Sequence, residues 1–63
     1  MDEHRAQLSS VSSTLSELTQ RVVAIADAHR DTETDDISTD LDEVERALRS
    51  AYRRLDRLVH RLR

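Results

Sequence analysis

The chain has no cysteine, glycine, proline, phenylalanine or tryptophan. Without cysteine there is no disulfide to staple a small domain and no thiolate for redox or metal chemistry. Without glycine and proline, the tight turns of strand-rich folds have few residues to make them, and neither is there a built-in helix breaker. Tyr52 is the one aromatic side chain, which excludes both a core of packed rings and a base-stacking surface of several rings. Lysine is missing as well: all ten cationic side chains other than histidine are arginine. No apolar run is long enough for a signal peptide or a membrane span, so the expectation is a cytoplasmic protein.

What is present is a pair of apolar ladders. Leu8, Val11, Leu15, Leu18, Val22, Ile25 and His29 alternate spacings of three and four, as do Ile37, Leu41, Val44, Leu48, Ala51, Leu55, Leu58 and Leu62. That alternation puts side chains on one stripe of a helix, the seam of a coiled coil. Between the ladders, Asp31-Thr32-Glu33-Thr34-Asp35-Asp36 has no apolar residue and several good helix-capping residues. The fold expected is all-α: a single antiparallel two-helix coiled-coil hairpin over residues 1–63, with helix 1 about 3–30, a turn at 31–36 and helix 2 about 37–62. Thr14 with Glu17, and Thr39 with Asp42, have capping-box spacing and offer later starts for the two helices. The early start of helix 1 is preferred because Leu8 and Val11 stay in phase with Leu15, despite the serine-rich stretch from Ser9 to Ser16.

The pairing can be tested within the sequence. If the hairpin folds about Glu33, residues equidistant from it should face each other. The ladders then match as His29 with Ile37, Ile25 with Leu41, Val22 with Val44, Leu18 with Leu48, Leu15 with Ala51, Val11 with Leu55, Leu8 with Leu58 and His4 with Leu62. No gap has to be adjusted, and local pattern and global register agree.

A chain of 63 residues has too small a core to be amply stable alone, and with no disulfide the remaining support is a second subunit. The seam has two flanks. One carries Gln7, Thr14, Arg21, Ala28, Asp40, Ala47, Arg54 and Arg61 and is mostly polar or charged. The other carries Arg5, Ser12, Thr19, Ala26, Ser38, Glu45, Tyr52 and Val59, with Ser16 and Val23 beside them, and is smoother. The expectation is a homodimer forming a four-helix bundle through the second flank, at Ser12, Thr19, Val23, Ala26, Tyr52 and Val59.

Charge is segregated along the second half. Residues 31–45 hold eight acids and no base, whereas residues 46–63 hold seven arginines and one acid, Asp56. Acids at the start of a helix and arginines at its end complement its dipole, and Asp42–Arg46, Glu45–Arg49 and Asp56–His60 are spaced as i,i+4 pairs. Arg46, Arg49, Arg53 and Arg57 on the outer face of helix 2 also form an arginine stripe suited to phosphate or an acidic partner. Nucleic acid is the less favoured partner, because the net charge is −3 and the acidic turn repels the same ligand.

Other chemistry finds little support. The acidic turn lacks the glycine and the closing glutamate of a calcium loop. His4, His29 and His60 have no paired-ligand spacing, so no metal or other cofactor is expected; protonation of His4 and His29 is expected to loosen the ends of the seam below about pH 6. The serines of helix 1 have no base positioned by a third group, so no catalytic residue is assigned and the protein is read as a non-enzyme.

In its seams, Leu8 to Ile25 and Leu41 to Leu62, and its short turn, the chain resembles the Rop family of plasmid-copy-control proteins, helical hairpins of similar size that dimerise into four-helix bundles. The resemblance spans the whole chain and is one of architecture, with no shared motif. That family binds paired RNA loops through polar and basic residues; here helix 1 is serine-rich and poor in bases, so RNA binding is not carried over. The function expected is a small interaction module working by self-association and protein–protein binding, as an adaptor, regulator or assembly subunit. The alternatives are a nucleic-acid-binding regulator using the arginine stripe and a binder of a partner helix that controls a transcription factor.

Overall fold

The computed structural model describes the backbone of residues 2–62 and the side chains of residues 3–62. Two helices, α1 (Asp2–His29) and α2 (Asp35–Arg61), pack along each other as a hairpin. The molecule measures 49 × 14 × 10 Å. Its radius of gyration is 14.6 Å, where a compact chain of this length would have about 10.6 Å; it is a rod.

α1 runs unbroken through the serine stretch, so Thr14 and Glu17 lie mid-helix and do not cap it. Leu8 and Leu15, half-buried at either side of the serines, hold that segment helical against their weak propensity. The helix ends without glycine. The Arg30 N–H reaches the Asp27 carbonyl at 3.3 Å, tightening the last turn, and Asp31 then takes the left-handed conformation with φ 61°. After glycine, aspartate and asparagine are the residues that visit this region most readily, and then only occasionally. The Thr32 hydroxyl donates to the His29 carbonyl at 2.6 Å and accepts the Thr34 N–H at 3.2 Å, satisfying a carbonyl that the helix leaves free. His29 Nδ1 lies 2.6 Å from the Thr34 hydroxyl and draws the two helix ends together.

α2 starts at Asp35, earlier than the capping-box spacing implied. Thr39 is already inside it, its hydroxyl directed back to the Asp35 carbonyl at 3.3 Å, and Ser38 bonds the same carbonyl at 2.7 Å. Asp35 and Asp36 occupy the first turn, His60 and Arg61 the last, as the helix dipole favours.

The register expected about Glu33 places the open end correctly: His4, Leu8 and Val11 line one depression with Leu58 and Leu62. The rotation of the helices differs from the expectation. Only part of each ladder turns inward. Leu8, Leu15, Val22 and His29 of α1 and Leu41, Leu48, Leu55 and Leu62 of α2 are half-buried, whereas Val11, Leu18, Ile25, Ile37, Val44, Ala51 and Leu58 are exposed. The line of contact instead runs along Ser12, Thr19, Ala26 and Ser38, the buried residues of the hairpin. Small side chains let two helix backbones approach closely, and the helices rotate to use them. The Thr19 hydroxyl is accommodated there by bonding the Leu15 carbonyl at 2.7 Å.

Candidate interaction surface

This rotation places three residues of the interface expected from the sequence in the hairpin's own contact. Ala26 is 1% exposed and Thr19 4%, and Ser12 is buried with them, all by the second helix of the same chain. Val23, Tyr52 and Val59 are half-buried beside them. Ser12, Thr19, Ala26 and Ser38 of the smooth flank are thus covered by the hairpin itself. Tyr52 is held at the edge of this face, in a shallow polar notch with Ser16, Thr19, Gln20 and Arg49.

The surface left open is the other half of the seam. Val11, Leu18 and Ile25 on α1 and Ile37, Val44 and Leu58 on α2 are between 40% and 52% exposed. Their spacing of seven keeps them on one side of each helix, so the two rows run side by side down one face of the rod. Toward the open end this face dips into the depression of His4, Leu8, Val11, Leu58 and Leu62, and on α1 it has an apolar hollow among Val11, Thr14, Leu15 and Leu18. A contiguous apolar strip of this kind marks a binding surface more often than a solvated one.

The polar flank borders this strip. On α2 it reads acidic at the turn, with Asp36 and Asp40, small in the middle at Ala47, and basic at the open end, where Arg54, Arg57 and Arg61 surround Leu58. All of these residues are exposed.

The anion-binding residues considered from the sequence, Arg46, Arg49, Arg53 and Arg57, are all exposed. They do not act as one group. Arg49 Nε bonds Glu45 Oε2 at 2.6 Å, and Arg57 belongs with Arg54 and Arg61 rather than with Arg46 and Arg53. His60 faces Asp56 at 3.7 Å and bonds its carbonyl through Nδ1 at 2.7 Å. Asp42, spaced for Arg46, is instead taken by Arg30. That guanidinium bridges Asp42 at 3.2 Å and Asp27 at 3.0 Å, clamping the end of α1 to α2 across the turn. Hydrogen bonds to Asp42 and then Asp27 push the Arg30 pKa further above its already high value. Sequence spacing could not have found this clamp, because Asp42 meets Arg30 only once the chain has turned back on itself.

The chain matches no protein-family model, no curated protein and no solved structure. Neither described helix is long and apolar enough to cross a membrane.

Proposed function

We propose that the chain is a non-enzymatic helical interaction module that works by self-association in the cytoplasm, as a regulatory or assembly component, and that a homodimer built on the open seam is its working form. The observation carrying this reading is the strip of Val11, Leu18, Ile25, Ile37, Val44 and Leu58, large apolar side chains left in water by a hairpin that buries mostly small ones. Each of them would gain on the order of 1 kcal/mol from losing the rest of its exposure. A two-helix hairpin has no third layer to cover them. A second hairpin supplies it and makes a four-helix bundle.

Area supports the same reading. The chain exposes 4949 Å², where a folded monomer of this size would expose about 4,200 Å². The excess approaches the roughly 800 Å² that each partner contributes to a standard interface. Sedimentation equilibrium from about 1 to 100 μM tests it: the expected result is twice the chain mass at the upper concentrations, with helix content that falls on dilution. A chain that stays monomeric and helical throughout would leave the strip to a different partner helix and end the self-association reading.

A further inference from the structure

Building on that reading, we infer that the second copy docks end for end, laying α1 on α1 and α2 on α2, with the acidic turn of each hairpin over the arginine-rich open end of the other. The placement of the strip residues carries this. Within α1, Val11 and Ile25 are equally far from Leu18; within α2, Ile37 and Leu58, and likewise Val44 and Ala51, are equally far from the Ala47–Leu48 peptide. Leu18 and Leu48 are equidistant from Glu33, and the register that brings His4 and Leu8 to Leu58 and Leu62 sets them at about the same height on the rod. One two-fold axis crossing the rod there therefore matches every strip residue to a partner. Val11 meets the partner's Ile25, Leu18 its own copy, Ile37 the partner's Leu58 and Val44 the partner's Ala51. A self-complementary patch of this sort is what a closed dimer requires.

Charge selects the same orientation independently. The axis leaves Asp40 one residue short of the partner's Arg54, Glu33 one short of the partner's Arg61 and Asp36 two short of the partner's Arg57, all within reach of an arginine side chain. It sets Ala47 beside its own copy, which lets the α2 helices come close. Among the described residues none of these charged groups is in an ion pair within its own chain. On α1 the flank is nearly neutral, and Glu17, which nears its own copy, has Arg21 one turn away on each chain. The side-by-side alternative would gather the eight acids of residues 31–45 of both chains at one end of the bundle and both arginine-rich ends at the other. Opposite charges at the edge of an apolar seam are the usual determinant of helix orientation.

Two measurements on the cysteine-free chain test the orientation. With Glu33→Cys carrying a spin label, dipolar spectroscopy on the dimer should give a separation of about 40 Å, the span between turns at opposite ends of the bundle; side-by-side docking gives about 10–20 Å. Arg54→Asp should weaken the dimer about tenfold, and adding Asp40→Arg should return it to within about threefold of the original, since the two positions never meet within one chain. A short spin distance, or no recovery in the double variant, overturns the end-for-end arrangement while leaving self-association standing. A monomeric mass together with an absent dipolar coupling overturns both.

Discussion

The face that joins α1 to α2 is lined by Ser12, Thr19, Ala26 and Ser38, whereas the face turned away carries Val11, Leu18, Ile25, Ile37, Val44 and Leu58. The first buries little surface per residue but brings two backbones together; the second has bulk and nothing of its own chain to bury it against. The difference teaches what a two-helix unit can and cannot do. Each helix presents an apolar arc wider than one neighbour can cover. The hairpin takes the edge of that arc where close approach is easiest, and the wider residues are left for a further layer. Stability is then shared between an internal contact and an external one, and substitutions on the two faces should separate them.

The largest effect is expected on the outer face. Leu18→Glu puts a charge at the centre of the open strip, where it meets its own copy, and should raise the dimer dissociation constant by about a hundredfold or more. Sedimentation reads the loss, and circular dichroism should show reduced helix at low concentration. An unchanged mass distribution would remove Leu18 from any interface.

Ala26→Leu tests the inner face. Ala26 is 1% exposed, so the extra methylenes have no room and should cost about 1–3 kcal/mol by urea denaturation. A gain in stability instead would mean that the helices are not held close at this point. Asp31→Gly is smaller: it relieves a left-handed backbone at φ 61° and should stabilise by about 0.5 kcal/mol, measured as a raised denaturation midpoint. The smallest change expected is from Arg30→Ala, which opens the clamp to Asp27 and Asp42. Because the clamp is exposed, the drop in thermal midpoint should be slight at low salt and vanish near 1 M salt. A drop that persists at high salt would show that Arg30 acts through packing instead of charge.

Much of the architecture was legible because two long, uninterrupted periodicities left room for one turn only. Their common distance from Glu33 also gave the register, seen in the meeting of His4 and Leu8 with Leu58 and Leu62. The rotation of the helices was not legible. A three-four spacing marks an arc, and which edge of that arc meets the neighbour depends on how close the backbones come. Ser12, Thr19 and Ala26 look like a smooth outer flank in the sequence; in the fold they are the inner contact. The start of α2 was obscured for a related reason. Thr39 and Asp42 have the spacing of a cap, but Ile37, Ser38 and Leu41 already need a helical backbone to reach their places, so α2 begins at Asp35. The left-handed Asp31 carried no glycine to announce it.

The central claim is that the half of the seam left open by the hairpin is an interface between copies. Isotope-filtered nuclear Overhauser spectroscopy on a mixture of labelled and unlabelled chains tests it most directly. Interchain contacts should appear at the methyl groups of Val11, Leu18, Ile25, Ile37, Val44 and Leu58, and contacts of Thr19 and Ala26 should be confined to their own chain. Interchain signals at Thr19 and Ala26, with none along Val11, Leu18 and Val44, would contradict it.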